Sequence, residues 1–116
     1  MSDDRKRPQF RQVVVDLAKL RDYCLSPAHP HGRHKARVFR ARLKMEAADA
    51  DMLRNALLRA AHEDGASFVY RRTDQHGTHY SLDFELSTTA GVAIVRSIWI
   101  IAAEQESLRF VTCYLL

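Results

Sequence analysis

The chain has 116 residues, of which 47% are hydrophobic and 28% charged, with a net charge of +4. That length fits one compact domain, and the composition excludes disorder, a collagen-like repeat or a coiled coil as a description of the whole. A chain of this size buries roughly two-thirds of the surface its unfolded form exposes, so it needs neither a disulfide nor a structural metal to fold.

Residues 1–12 are polar and broken by Pro8, and are expected to form an N-terminal arm ahead of a single domain spanning residues 13–116. Val14, Leu17, Ala18, Leu20, Cys24 and Leu25 follow helical spacing, and Ser26-Pro27 stops that helix. A loop follows, punctuated by Pro27, Pro30 and Gly32. A second helix is predicted from His34 to Lys44. A third is predicted from Ala48 to His62, with Asp49 and Asp51 as candidate caps and Gly65 at its end.

After Gly65 the period changes to two. Ser67–Arg72 reads as a short strand, followed by a turn at Asp74–Gly77. Tyr80, Leu82, Phe84 and Leu86 alternate with His79, Ser81, Asp83 and Glu85, the pattern of a half-buried antiparallel strand. Val92–Ile101 is apolar on both parities and reads as a central strand, with Trp99 in the core. Leu108–Leu116 is the last strand, with Leu108, Phe110 and Tyr114 on one face. The expected fold is α+β: about three N-terminal helices packed on one face of a four-stranded antiparallel meander. A last strand at the sheet edge would suit pairing with a second copy, so the chain is read as a monomer or a homodimer.

The N-terminus lacks the apolar core of a signal peptide. The longest uncharged apolar run, Ile98–Ala103, falls far short of the ~20 residues that span a membrane. No membrane association is expected, and the expected compartment is the cytoplasm. Cys24 and Cys113 have no metal or redox spacing and read as reduced residues in or near the core.

Charge is concentrated. Arg33, Lys35, Arg37, Arg40, Arg42 and Lys44 lie in an interval free of acidic residues, so this +6 segment sits against an acidic remainder. At about 100° per residue, Arg33, Arg37, Arg40 and Lys44 share one stripe. That stripe is either a solvated helix face or a surface for a nucleic-acid backbone. Lys35 lies beside the buried face, where it either snorkels past Phe39 or presents a cation to a cleft. His29, His31 and His34 have no nearby carboxylate or cysteine to complete a metal site, so no metal and no cofactor is expected. Arg96 interrupts the series Val92, Ile94, Ile98 and Ile100, and Thr112 interrupts the last strand. They face the same side if the loop between their strands is odd in length. Arg96 then either opens a small site or reaches an acid such as Asp83 or Glu85.

Leu25-Ser26-Pro27, His29-Pro30, Gly32-Arg33-His34-Lys35-Ala36 and Phe39 resemble the opening of a bacterial domain family of unknown function. Gly91, Val95-Arg96, Trp99-Ile100-Ile101 and Leu108 through Thr112 and Tyr114 extend the resemblance over nearly the whole domain. This chain departs from the pattern at Lys44, where glycine is frequent. The family occurs in small bacterial proteins and toxin-like proteins, and its layout is similar to the barnase–EndoU–colicin–RelE superfamily of metal-independent RNases. The resemblance implies an endoribonuclease-like toxin with Lys35, Arg96, Thr112, His34 and Tyr114 at the catalytic site. Arg33, Arg37, Arg40 and Lys44 would then hold RNA. Lys35 and Arg96 would stabilise phosphorane charge, and His34 or His79 would move protons. Thr112 would bond a phosphate oxygen, and Tyr114 or Tyr80 would stack a base. A neutralising partner, an acidic antitoxin or immunity-type protein, is the expected companion. The alternative is a non-catalytic protein that binds nucleic acid or another protein.

Overall fold

Where apolar residues recur every three or four positions the chain is helical, and where they alternate it is extended. The computed structural model describes residues 8–63 and 67–116. Helix α1 (Leu17–Lys19) runs directly into a π-helical turn, Leu20–Cys24. Helix α2 spans Arg33–Leu43, and a 3-10 turn (Ala47–Asp49) leads into α3 (Ala50–His62). Asp49 accepts the Glu46 backbone N–H at 2.9 Å and so tightens the start of that helix. Gly65, expected to end it, lies outside the described residues, as do residues 1–7 of the arm.

The strands are β1 (Gln12–Val14), β2 (Phe68–Asp74), β3 (Gly77–Thr88), β4 (Gly91–Ile101) and β5 (Ser107–Leu115). Their order across the sheet is β1-β5-β4-β3-β2. The α+β class and the antiparallel meander β2 to β5 agree with the expectation. The count differs: β1 adds a fifth strand, parallel to β5, with Gln12 opposite Ser107 and Val14 opposite Arg109. Three residues are too few to show an alternation, and Val14 had blended into the apolar spacing of the following helix. The strand is tied on by Gln12 Nε2 donating to Ser107 Oγ at 2.7 Å and Arg11 N donating to Glu106 O at 2.7 Å. It makes β5 an inner strand over its first three residues, so the last strand is not the edge it was expected to be.

The helices cover one face of the sheet. Trp99, Val95, Phe110 and Cys113 from the strands meet Phe39, Leu43, Leu53 and Leu57 from α2 and α3, all essentially without solvent exposure. The indole N–H of Trp99 donates to Ser97 Oγ at 2.8 Å, and Ser97 Oγ donates to Leu82 O at 2.6 Å. The buried polar atoms are thereby satisfied. Val69, Val92, Ile94 and Val111, by contrast, remain exposed. Most of them lie on the other face, which no helix covers.

The second helix ends at Leu43, and Lys44 takes a left-handed conformation with φ of 53°. This is the position where the family resemblance expects glycine. The backbone geometry that favours glycine persists although the residue does not.

Candidate functional site

A bulge in β5 builds the site. Near the loop, Ile100 opposes Arg109 and Trp99 opposes Phe110; beyond the bulge, Ile98 opposes Thr112 and Arg96 opposes Tyr114. Val111 is the extra residue. Without it, Arg96 and Thr112 would lie on opposite faces of the sheet, because the register next to the loop pairs even positions with odd ones. With it, Leu108 and Phe110 face the core, and so do Cys113 and Leu115. Thr112 and Tyr114 turn to the open face with Arg96. The expected grouping of Tyr114 with Leu108 and Phe110 is therefore corrected: an inserted residue inverts the parity downstream of it.

Lys35 reaches this face around the margin of β5. Strand β1 pairs only with Ser107–Arg109, and beyond that point the helical segment lies against β5 instead. Lys19 Nζ donates to Phe110 O at 3.0 Å, and Cys24 Sγ lies 3.6 Å from Thr112 Oγ1. Lys35 Nζ donates to Thr112 Oγ1 at 2.8 Å and to the Tyr23 hydroxyl at 3.4 Å. It lies 4.9 Å from the centroid of the Tyr23 ring and 5.9 Å from that of Tyr114. The groups that Lys35 touches directly are uncharged, and the pKa of the Cys24 thiol behind Thr112 is lowered to about 6, chiefly by Cys113 and partly by Lys35 itself. Among the described residues no carboxylate pairs with Lys35.

Local sequence explains the placement. Residues of the π-helical turn put Tyr23 and Cys24 side by side against β5, a distortion that recurs at functional sites. His29 Nδ1 accepts the backbone N–H groups of His31 and Gly32, both at 3.0 Å, and its ring packs edge-on against Tyr23 with centroids 4.6 Å apart. That nitrogen is therefore committed to shaping the loop. A Cβ on Gly32 would lie 2.0 Å from Tyr23 O, so only glycine lets the start of α2 approach the π turn closely enough.

Arg96 is differently situated. Its guanidinium makes a two-pronged pair with Asp83, both bonds 2.8 Å, and Tyr114 is its cross-strand neighbour on β5. Asp83 raises the Arg96 pKa, and Arg96 in turn holds the Asp83 carboxyl below its ordinary value. Of the two readings of Arg96, reaching an acid and opening onto a site, both geometries are present. Arg96 also lines a hollow of about 450 Å³ on the open face, together with Arg71, Arg72, His79 and Tyr114. Arg71 Nε donates to Ser81 Oγ at 2.9 Å, and His79 Nε2 lies 3.0 Å from Asp74 Oδ2.

Lys35, Thr112, Tyr114 and Arg96 thus form a continuous set. His34 is exposed on the first turn of α2, and none of the contacts joining the other four involves it. Arg33, Arg37, Arg40 and Lys44 are exposed. At about 100° per residue Arg33, Arg37 and Arg40 lie about 140–160° around α2 from Lys35, and Lys44 lies past the end of the helix. Sequence reasoning missed Tyr23, Arg71 and Arg72. The adjacent arginines were visible, but a bulge between Tyr70 and Arg72 decides which face they serve.

The thiols of Cys24 and Cys113 are free and buried, and each influences the other's ionisation. The bond from Cys113 lowers the Cys24 pKa, while the neighbouring Cys24 and burial raise that of Cys113.

These features define an α+β protein whose sheet margin carries a cation held by neutral partners. The chain belongs to a domain family of unknown function, DUF6883, whose pattern matches residues 6–116. A comparison with curated proteins gives no match. Among solved structures the fold is similar to a contact-dependent growth inhibition toxin–immunity protein complex from Klebsiella pneumoniae 342. The TM-score is 0.70 at 21% identity, over 89% of this chain and 99% of that one. Likeness at this identity concerns the fold. No helix among the described residues is long and apolar enough to cross a membrane.

Proposed function

We propose that this chain is a toxin-like effector domain that cleaves RNA without a metal ion, using the open sheet face beside Lys35. The observation that carries the reading is the Lys35 ammonium, 2.8 Å from Thr112 Oγ1 and bounded by two tyrosine rings, with no carboxylate beside it among the described residues. A cation held in place by neutral groups is pre-organised for an anion, because it sheds no carboxylate when the anion arrives. A fold shared with a toxin–immunity complex supports the toxin-like part of the reading.

In this scheme the 2′-hydroxyl of a ribose attacks the adjacent phosphorus and the 5′-oxygen leaves. Lys35 stabilises the charge that builds on the phosphoryl oxygens, and Thr112 positions Lys35 while offering its hydroxyl to the same oxygens. Arg71 and Arg96 add positive potential from the sheet, Arg96 less so because Asp83 offsets it. His79, lining the hollow and oriented by Asp74, is better placed than the exposed His34 to take or give a proton. Tyr114 supplies a ring for base stacking. The domain works in the cytoplasm of its target, and a neutralising protein of the immunity type keeps it silent in the producing cell.

The test is incubation of purified protein with total RNA in EDTA, with Lys35→Ala alongside. Wild type cleaves, and Lys35→Ala is slower by about 10²-fold, the usual cost of one transition-state donor. Wild type that leaves RNA intact under every condition rules out the enzymatic reading. A salt-sensitive gel shift without cleavage would establish a binding protein instead.

A further inference from the structure

We infer that the arginine stripe of α2 is a docking surface for an acidic protein segment bearing an apolar anchor, and that it is separate from the Lys35 site. The inference does not require that the chain cut RNA.

Three observations carry it. Direction is the first: Arg33, Arg37 and Arg40 lie about 140–160° around the helix from Lys35 at 100° per residue. One short RNA strand cannot touch both groups without wrapping the helix. The second is the surface between the arginines. Arg33, Arg37 and Arg40 border a hollow of about 410 Å³ whose accessible apolar lining is Pro27, Ala47 and Ala48 over the buried Leu25 and Met45, with Glu46, the partner of Arg40, also on its wall. A sugar–phosphate backbone gains nothing from such a lining, whereas a leucine or phenylalanine side chain removes it from water. The third is unmet charge. Arg40 pairs with Glu46 at 3.4 Å, and Arg42 donates to the main-chain oxygen of Leu116. Among the described residues Arg33 and Arg37 have no carboxylate partner. Two free guanidiniums flanking an apolar hollow match an aspartate- or glutamate-rich segment with one large apolar residue between its acids.

The test uses the full chain as bait for a displayed library of random 16-residue peptides, with selected peptides re-measured on variants. Selected peptides are expected to be acidic with a central apolar residue. They are expected to lose at least about tenfold in affinity on Arg33→Glu/Arg37→Glu. Ala48→Glu, at the exposed rim of the hollow, is expected to weaken them too, while Lys35→Ala leaves them unchanged. Circular dichroism confirms that these surface variants fold. Selected peptides that lack acids, that bind the double variant equally well, or that depend on Lys35 would overturn the inference. So would displacement of the acidic peptides from the hollow by a short RNA, which would assign the stripe to nucleic acid.

Discussion

On one flank of α2, Lys35 is pinned by Thr112 and Tyr23 at the margin of the sheet. On the other, Arg33 and Arg37 stand exposed beside an apolar hollow. Both flanks are positive, and in the sequence they form one basic interval. The buried stripe Ala36, Phe39 and Leu43 divides them. The difference teaches that charge density is a poor guide to chemistry. What matters is whether a cation is held still, and by what. Lys35 is immobilised by neutral groups and surrounded by functional side chains, which suits it to act on an anion. The arginines are long, exposed and free to adapt, which suits them to recognise a partner.

The sharpest way to break this comparison is to remove one flank at a time. Lys35→Ala is expected to reduce RNA cleavage by about 10²-fold, against less than about threefold for Arg33→Ala/Arg37→Ala, measured as initial rates in EDTA. Equal losses on both flanks would mean that one substrate spans them. Next in size is Gly32→Ala. The added Cβ meets the Tyr23 carbonyl, so about 2 kcal/mol of stability is expected to be lost, read by urea denaturation. Thr112→Val removes the hydroxyl that holds Lys35 while keeping the side-chain volume. A loss of about 1.5 kcal/mol is expected, the lower end for a hydrogen bond to a charged group. If Lys35 were merely snorkelling, Thr112→Val would change neither stability nor cleavage.

The sheet offers a smaller test. Asp83 is lowered from its ordinary 3.8 chiefly by its bond to Arg96, and Asp74 is lowered chiefly by the His76 backbone N–H and then by His79. Folded values below unfolded ones mean that both carboxylates stabilise the protein fully above about pH 4, and that this is lost as pH falls further. Asp83→Asn is therefore expected to shallow the acid side of the stability profile, with the difference from wild type shrinking as pH falls below about 4. An unchanged profile would mean that the Asp83–Arg96 pair contributes nothing in solution. The smallest effect expected is from Lys44→Gly, which relieves the left-handed backbone at the end of α2. A gain of about 0.5 kcal/mol in thermal or urea unfolding would confirm that strain.

Much of the fold could be read from residue pattern. The helical spacing of Ala36, Phe39 and Leu43 and the alternation from Tyr80 to Leu86 follow from periods that local geometry imposes. The parity that Trp99 shares with Ala93 and Val95 puts it in the core, where it is fully buried. Lys35, Arg96 and Thr112 stand out because each interrupts or flanks an apolar series, whereas Tyr114 belongs to such a series and enters only through the family resemblance. β1 was not legible, because three residues carry no period. The face of Thr112 was not legible either, because one bulge residue, Val111, reverses it.

By itself, then, the amino-acid order determined the α+β layering, the limits of α2 and α3 to within a few residues, and which residues were out of place in an apolar setting. These are properties of nearest neighbours along a helix or strand, and side-chain period and backbone preference suffice to set them. Only the tertiary structure decided that β1 closes the start of β5, that Arg96 and Thr112 share a face, and that Lys35 rounds the sheet margin while Arg33 and Arg37 look away. These depend on register and on contacts between residues far apart in the chain, 77 positions for Lys35 with Thr112 and 95 for Gln12 with Ser107. Such contacts are fixed by how whole elements pack, and no local pattern records them.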